Sequence, residues 1–368
     1  MKITGVRVFV IGAPVQHPFS FSQWTFTRRE TTLVAVDTDS GLTGWGEGYG
    51  PAKVVAAAVR DFFAPLACGR DPRDTEALWA RLYARSIDYG QKGVLLAAIS
   101  ALDIACWDIK ARDAGVPLYR LLGGEETGSI ECYATGFYPG EDPEREFRAE
   151  AEGYLADGFR AVKMKVGFGV ERDAMLAAMV RAAIGPETRL MIDANHAYTP
   201  AEAIALARRI EPHEIGWFEE PVSPLDPEAY LEVKRATSIP LAGGECEYTR
   251  FGFEPWLRRR AFDYAQPDLC ATGGISEGMK IAALASVHQV HVTPHAWGSA
   301  VGQAAALHFY AARPRHPATT TVEEKLIECD RTENPFRTQI VREPVRFERG
   351  RWFLPRTPDS GSRSTSRR

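Results

Sequence analysis

Residues 161–167, AVKMKVG, place two lysines inside a short apolar segment. Successive side chains of a β-strand point to opposite faces, so Lys163 and Lys165 would share one face while Val162 and Met164 share the other. An edge strand with its lysines in water would show this pattern. So would a strand of a parallel barrel whose lysines point inward. The choice depends on the remainder of the sequence.

The composition is that of an ordinary globular chain. Its 368 residues are 45% hydrophobic and 25% charged. Because single cores stop growing at roughly 250–300 residues, one large domain and a smaller one are expected. The formal net charge of −4 gives no reason to expect a nucleic acid or an anionic membrane as a partner.

No targeting or membrane segment is predicted. The start, MKITGVRVFVIGAP, is interrupted by Arg7 and is interpreted as a strand rather than a signal peptide. The longest apolar region, residues 93–110, contains Asp103 and Asp108 and is too broken to span a bilayer. The six cysteines show no CxxC or framework spacing, which favours reduced thiols. A cytoplasmic location is expected.

Four regions are predicted along the chain. Residues 1–125 would form an α+β capping domain and residues 126–320 a barrel domain. Residues 321–355 would return to the cap, and the Ser- and Arg-rich residues 356–368 would be disordered. One group of glycines lacks the spacing of a nucleotide-binding loop and is interpreted as turn glycines, at positions 44, 46, 48 and 50.

From residue 130 onward, short apolar strands alternate with amphipathic helices, and each strand ends in polar residues. The strand ends are CYATG, KMKVG, MIDANH, WFEEP, LAGGE, AQPDL and VTPHAWG. Alternating strands and helices in this number predict an α/β fold built on a parallel barrel. The carboxyl ends of its strands would then meet at one mouth.

Three acidic residues recur at these strand ends with a regular spacing. Asp193, Glu219 and Glu245 are each 26 residues apart, which is one strand–helix unit. Their negative charges would crowd one side of the mouth, and like-charge repulsion opposes this unless a cation lies among them. Oxygen ligands without Cys or His suit Mg²⁺. The spacing therefore predicts a magnesium site.

The spacing continues with Asp268 and then His295, 27 residues later. A carboxylate on one strand can accept the ring N–H of a histidine on the next and raise its basicity. Across the mouth, Lys163 and Lys165 would point into the barrel near the three carboxylates. A nearby cation and a second ammonium would lower the pKa of Lys165, which would make it a usable base near neutral pH.

The motifs KMK, DAN, EEP, GGE, QPD and PHAWG, in this order and spacing, resemble those of the enolase superfamily, and within it the mandelate racemase and muconate lactonizing enzyme branch. ALDIACWDIKAR and PLYRLLGG extend the resemblance into the cap. It implies an α+β capping domain over a modified (β/α)7β barrel. Several stretches, including DANHAYT and ECDRTENPFR, are most similar to galactarolactone cycloisomerases and acid-sugar dehydratases. After LPRTPD the chain departs from the Gly-rich end of these relatives.

The resemblance also implies residue roles. The Mg²⁺ ligands would be Asp193, Glu219 and Glu245, with the first glutamate of WFEEP as the ligand. Lys165 would be the base on one face with Lys163 as its partner, and His295 with Asp268 would act on the other. Glu328 would hydrogen-bond the reacting carboxylate.

The implied reaction is removal of the proton α to a carboxylate, followed by β-elimination on an aldarate lactone or an acid sugar to give a 2-keto-3-deoxy acid. A racemase or epimerase of a 2-hydroxy acid is the alternative on the same scaffold. The expected partner is a small-molecule carboxylate, and a homo-oligomer is expected because such barrels often assemble symmetrically.

Substrate contacts are expected from cap loops and from residues beside the ligands. Either arginine of the first loop would be able to bind a second carboxylate bidentately. The candidates are Trp24, Arg28, Arg29, Tyr49, Asn195, His196 and Trp297. For Arg28 and Arg29 the alternative is a solvated position. For His196 and Trp297 the alternative is simple packing.

Two other functions compete. In the first, Lys165 would form a Schiff base, as in some barrel aldolases, but the regular acidic spacing would then be unexplained. A barrel that only binds a sugar acid would be expected to lack one proton-transfer group, and both are present.

Overall fold

The structure is a computed structural model that describes residues 1–125, 128–315 and 326–356. The predicted tail, apart from its first residue, lies outside these ranges. No helix in the described ranges is long and apolar enough to cross a membrane. All six cysteines are free thiols, as predicted.

The N-terminal part consists of a three-stranded antiparallel sheet, in the order β1-β2-β3, and a group of helices. The strands are β1 (Ile3–Ser20), β2 (Thr25–Thr38) and β3 (Thr43–Gly48). The helices are α1 (Ala52–Ala57), which continues through a π-helical turn at Ala58–Phe63, α2 (Ala64–Ala67), α3 (Thr75–Ser86), α4 (Val94–Ala114) and α5 (Leu118–Leu121).

Glycines 44, 46 and 48 are not turn residues, which corrects the prediction. They lie in β3, with their missing side chains facing α4. A Cβ at Gly46 would be 1.9 Å from the backbone oxygen of Ala101, and one at Gly44 would be 2.1 Å from that of Ala105. A strand repeats its face every two residues and a helix about every four, so alternating glycines meet small residues one turn apart. This contact lets the sheet and α4 approach closely.

The remaining strands form a parallel barrel in which neighbours follow chain order. Within the described ranges its eight strands are β4 (Ser129–Gly136), β5 (Ala161–Lys165), β6 (Arg189–Asp193), β7 (Ile215–Glu219), β8 (Leu241–Gly243), β9 (Tyr264–Ala265), β10 (His291–Val292) and β11 (Leu326–Asp330). Two short strands follow, β12 (Phe347–Glu348) and β13 (Arg351–Phe353), and β13 pairs with the start of β4.

Helices surround the barrel and follow its strands. They are α6 (Pro143–Ala156), α7 (Val170–Ile184), α8 (Pro200–Ile210), α9 (Pro227–Ala236), α10 (Thr249–Arg259), α11 (Gly274–Val287) and α12 (Ala300–Ala312). Short 3-10 turns occur at Glu211–His213 and Pro335–Arg337.

The last barrel strand lies beyond the boundary that the sequence suggested. β11 pairs in parallel with β4, so residues 326–330 belong to the barrel sheet and not to a segment that returns to the cap. The side chains of β11 alternate as those of a barrel strand do. Ile327 and Cys329 pack in the outer core, while Glu328 points inward and accepts a hydrogen bond from the Thr135 hydroxyl. The next residues do contact the N-terminal sheet, since Glu333 accepts a hydrogen bond from the backbone N–H of Gln16.

The barrel interior explains the two lysines of the AVKMKVG segment. Val162 and Met164 belong to the large core cluster between the strands and the helices. Lys163 is 1% exposed and Lys165 8% exposed, so neither lies on an edge strand in water. Below them an inner cluster fills the barrel, formed by Tyr133, Ala161, Met191, Trp217, Ala242 and Leu326.

Candidate active site

Three neighbouring strands, β6, β7 and β8, bring the predicted metal ligands together at the barrel mouth. In the sheet register Lys165 is opposite Asp193, and Asp193 is opposite Glu219. Glu245 follows the end of β8. Carboxylate oxygens of Asp193, Glu219 and Glu245 lie within 4.8 Å of one another, so this cluster can hold a metal ion. The donors are all hard oxygens, which fits Mg²⁺.

Each buried lysine pairs with these carboxylates. Lys163 Nζ lies 3.1 Å from Glu328 Oε1 and 3.7 Å from Asp193 Oδ2, and it also donates to Glu219. Lys165 Nζ donates to Asp193, and to Asn195 Oδ1 at 2.8 Å. The lysines thereby balance part of the negative charge that the strand ends concentrate.

The expected lowering of the Lys165 pKa is not found in this arrangement. Burial lowers the pKa of the Lys165 ammonium, but the carboxylate of Asp193 raises it more, and the net result lies well above its usual value. The prediction assumed that a cation would dominate the surroundings of Lys165, whereas its nearest charge here is Asp193.

His295 and Asp268 form the expected pair on the other side of the mouth. His295 Nδ1 lies 2.7 Å from Asp268 Oδ2, and its Nε2 lies 3.7 Å from Glu245 Oε2. Burial lowers the pKa of His295, but Glu245 and the hydrogen bond to Asp268 raise it to about 10 overall. The backbone N–H of Cys270 donates to the other oxygen of Asp268 and fixes this carboxylate.

Glu328 is held between the two sides. Its carboxylate accepts hydrogen bonds from the Thr135 hydroxyl at 2.6 Å and the Ala296 N–H at 2.9 Å. Burial alone would raise the pKa of Glu328, but Lys163 and His295 lower it to well below its usual range. Glu328 is therefore an anion that links the lysine side of the site to the histidine side.

A cavity opens above these groups, and its wall is largely aromatic. Among the predicted substrate contacts, Tyr49, Asn195 and Trp297 line it. Lys165, Glu245, His295 and Glu328 line it as well. Three aromatic residues complete the wall and were not predicted: Phe21, Phe26 and Tyr138.

The other four predicted substrate contacts do not line this cavity, which corrects the prediction. Trp24 is 67% exposed at the loop surface. Arg28 is exposed and pairs with Glu30 at 2.9 Å. His196 is not among the residues that line the cavity, and its Nδ1 lies against the backbone oxygen of Asn195. These side chains were selected for their proximity in sequence, which does not determine their direction.

Arg29 is buried and already paired. Its guanidinium lies 3.1 Å from Asp330 Oδ2, donates to the backbone oxygen of Glu333 at 3.0 Å, and stacks 3.6 Å above the Trp297 ring. It therefore attaches the first loop to the end of β11 and supports the cavity wall, with its Nε and Nη2 groups engaged by the protein.

Gln266 is a further residue that sequence reasoning missed, although the QPD motif contained it. Its Nε2 donates to Glu219 Oε2 at 2.7 Å, and Trp217 Nε1 donates to the same oxygen at 3.0 Å. These two bonds orient the central carboxylate of the metal cluster. For Phe21 and Phe26, the aromatic repeat in FSFSQWTF was the available signal.

A barrel with an acidic cluster at its mouth and a lysine and a histidine beside it defines a class of enzymes that carry out acid–base chemistry next to a metal site. Two family models match the chain. The N-terminal domain of mandelate racemase and muconate lactonizing enzyme matches residues 3–123, and the enolase C-terminal domain-like family matches residues 146–361.

Two curated relatives match nearly the whole chain. The D-galactarolactone cycloisomerase of Agrobacterium fabrum is 45% identical over 98% of this chain and 96% of its own length. The arabinonate dehydratase of Saccharolobus solfataricus is 32% identical over 90% of this chain and 87% of its own. The chain therefore belongs to the enolase superfamily, in its mandelate racemase and muconate lactonizing enzyme branch, and is an enzyme.

Two solved structures are similar over the same extent. The 3,6-anhydro-D-galactonate cycloisomerase from Zobellia galactanivorans has a TM-score of 0.89 and 42% identity, covering 98% of this chain and 96% of that one. A racemase from Streptomyces coelicolor A3(2) with bound magnesium has a TM-score of 0.88 and 29% identity, covering 98% and 96%. The fold is thus the modified (β/α)7β barrel with its α+β cap.

Proposed function

We propose that this enzyme removes the proton α to the carboxylate of a cyclic sugar acid and then eliminates the oxygen on the β-carbon, giving a 2-keto-3-deoxy acid. The observation that carries the proposal is the shared cavity of Lys165 and His295. Lys165 ends β5 and His295 follows β10, so the two lie on different sides of the mouth, separated by β4 and β11. One group is placed to take the α-proton and the other to protonate the leaving oxygen.

A base alone does not account for the barrier. General acid–base catalysis contributes about 10²–10⁴-fold, or roughly 3–5 kcal/mol. Enzymatic accelerations require roughly 8–23 kcal/mol. Mg²⁺ held by Asp193, Glu219 and Glu245 would supply several kcal/mol by stabilising the charge that develops on the substrate carboxylate.

Neighbouring residues set the protonation and the orientation of the two proton-transfer groups, Lys165 and His295. A cation held by Asp193 would offset part of the charge with which this carboxylate stabilises the Lys165 ammonium, and burial would then favour the neutral amine that a base requires. Asp268 holds the Nδ1–H of His295, so Nε2 faces the cavity. Lys163 and Glu328 complete the hydrogen bonds around the reacting carboxylate.

The cavity favours a cyclic acid with one carboxylate. Its wall is aromatic, and among the described residues that line it Lys165 is the only lysine or arginine. Arg29, the expected partner of a second carboxylate, is occupied by Asp330. The second carboxylate of an open-chain aldarate would therefore find no arginine in the described lining of this cavity, whereas a lactone or an anhydro sugar acid would stack its ring on the wall. The names of the two cycloisomerase relatives support this choice.

Two alternatives share the first step. Loss of a β-hydroxyl would make the enzyme a dehydratase of an open-chain acid sugar, as the name of the arabinonate dehydratase suggests. Reprotonation from the opposite face would make it a racemase or epimerase, and the positions of Lys165 and His295 permit this. The cytoplasmic location and the homo-oligomer remain predictions.

Proton NMR in D₂O tests the proposal. The Mg²⁺-loaded enzyme is incubated with galactarolactone, 3,6-anhydrogalactonate, galactarate and galactonate, with EDTA as the control. We expect a 2-keto-3-deoxy product from a cyclic acid, abolished by EDTA. Product from an open-chain acid alone would favour the dehydratase, exchange without elimination would favour the epimerase, and neither exchange nor product would contradict acid-sugar chemistry.

A further inference from the structure

A second cluster of ligand-type side chains lies beside the magnesium cluster. His196, Glu220 and Cys246 follow the ends of β6, β7 and β8, and one ligand atom from each lies within 4.8 Å of the others. None of the three lines the substrate cavity. The proposed reaction assigns them no role.

Glu220 is the unusual member. It is 1% exposed, and neither of its carboxylate oxygens has a hydrogen-bond partner in the described ranges apart from the thiol of Cys246, which is a weak donor. A buried carboxylate without strong donors is costly, and native structures rarely contain one without a compensating group. Both of its oxygens are therefore available to a cation.

One ring nitrogen of His196 has a backbone contact. Its Nδ1 lies against the backbone oxygen of Asn195, and donation to that oxygen would leave Nε2 with its lone pair. In metal sites the ligating imidazole usually donates its other N–H to a carbonyl or carboxylate, which fixes the ring.

The backbone holds the loops of this cluster in place. The N–H of His196 donates to the backbone oxygen of Glu220 at 2.8 Å, and the N–H of Glu220 donates to that of Ala242, on β8, at 3.0 Å. These bonds link the carboxyl ends of β6, β7 and β8 directly. The ligand atoms are therefore brought together by the barrel and not by a mobile loop.

We propose that His196, Glu220 and Cys246 form a second metal site, distinct from the magnesium cluster, that binds a borderline divalent cation of the Zn²⁺ class. Sulfur and imidazole donors favour Zn²⁺ or Co²⁺ over Mg²⁺, whereas the all-carboxylate cluster favours Mg²⁺. Three protein ligands leave a fourth tetrahedral position for water. The chain would thus carry two adjacent sites of different selectivity.

Co²⁺ is the probe, because thiolate ligation gives a charge-transfer absorption that carboxylate ligation does not. The experiment uses the full chain with Cys68→Ser, which removes the exposed thiol, in excess Mg²⁺. We expect one equivalent of Co²⁺ to bind with this absorption. Cys246→Ser in the same background should abolish the band, and Glu220→Gln should weaken binding by at least about tenfold.

Two results would overturn the proposal. The first is the absence of a thiolate band at saturating Co²⁺ in the Cys68→Ser protein. This result does not depend on whether the other variants fold. The second is a band that persists after Cys246→Ser, which would assign it to another thiol. Because the readout is metal binding in excess Mg²⁺, failure here leaves the proposed elimination reaction untouched.

Discussion

Adjacent residues in this chain can have opposite roles, and Arg28 and Arg29 show it. Arg28 pairs with Glu30 in solvent, whereas Arg29 is 4% exposed and pairs with Asp330. Exposed pairs contribute about 0–1 kcal/mol, but removing one partner of a buried pair costs roughly 3–5 kcal/mol. Because Asp330 keeps its ion pair with Arg337, Arg29→Met should fall below this range and lower the free energy of unfolding by about 2 kcal/mol in urea denaturation.

Arg28→Met is the matched control and should change stability by less than about 0.5 kcal/mol. If Arg29→Met instead kept full stability and raised only the KM, Arg29 would bind substrate and its assignment as a positioning residue would be wrong.

The pH dependence of stability should carry a contribution from His308. Burial lowers the pKa of His308 to about 4, its Nδ1 accepts a hydrogen bond from the N–H of Tyr119 at 3.3 Å, and its Nε2 has no partner in the described ranges. The unfolded chain, with a pKa near 6.5, binds this proton more tightly than the folded chain. Stability is therefore lost as the pH falls from about 6.5 to 4.

The loss from this one group is about 3 kcal/mol at most, at 1.36 kcal/mol per pKa unit. His308→Asn keeps an acceptor without the titrating ring and should flatten the stability curve over this pH range, as measured by urea denaturation at several pH values. His17→Asn, at an exposed position, should leave the curve unchanged. Parallel curves for wild type and His308→Asn would contradict the assignment.

Sequence reasoning located the charged residues of the site better than it located the substrate contacts. Asp193, Glu219 and Glu245 share a spacing because each lies at the strand end of its own strand–helix unit, and that regular spacing can be seen in the sequence alone. Whether Arg29 points to substrate or to Asp330 depends on a residue about 300 positions away in the chain. The pKa of Lys165 likewise depends on its ion pair with Asp193, which no local pattern reports.

At the scale of elements, the contact between β3 and α4 is the most restrictive. A Cβ at Gly46 would be 1.9 Å from a backbone oxygen, which neither element can relieve by a rotamer change. Overpacking costs typically 1–3 kcal/mol and sometimes more. Gly46→Ala should therefore lower the free energy of unfolding by about 3 kcal/mol or more in urea denaturation.

Gly5→Ala is the matched control, because a Cβ there would meet nothing within 4 Å. It should change stability by less than about 0.5 kcal/mol. Equal effects of the two substitutions would mean that strand propensity, and not the close approach to α4, decides the choice of glycine.

The helices and strands could be predicted where the hydrophobic period and the breaking residues, such as glycine and proline, indicated the same boundaries. The alternation of amphipathic helices with strands that end in polar residues predicted the barrel, and with it the inward direction of Lys163 and Lys165. The glycines of β3 were misinterpreted because the close contact that requires them is with α4, about 50 residues later in the chain. β11 was assigned to the cap because only its pairing with β4 reveals that LIECD closes the barrel.

At the scale of the whole molecule, Glu47 joins the N-terminal sheet to the barrel. Its carboxylate accepts hydrogen bonds from the N–H and hydroxyl of Ser299, from the N–H of Gly302 and from the hydroxyl of Thr31. Ser299 is the N-cap of α12, so an anion is favoured there. Glu47→Gln would leave some of these buried donors unsatisfied, at about 1–3 kcal/mol each.

We therefore expect Glu47→Gln to lower the free energy of unfolding by about 2 kcal/mol or more in urea denaturation monitored by circular dichroism. Glu30→Gln, at an exposed position of the same sheet, should have little effect. An unchanged Glu47→Gln protein would show that this carboxylate does not stabilise the junction between the cap and the barrel.

The central claim is that Lys165 and His295 serve one reaction from different sides of the mouth. Deuterium incorporation at the α-carbon in D₂O, measured by NMR for wild type, Lys165→Met and His295→Asn with Mg²⁺ and the cyclic acid that is turned over, tests it most directly. We expect both variants to lose product formation by about 10²–10⁴-fold, while one of them, which retains the group that abstracts the α-proton, still exchanges that proton. Product formation at the wild-type rate in either variant would contradict the account.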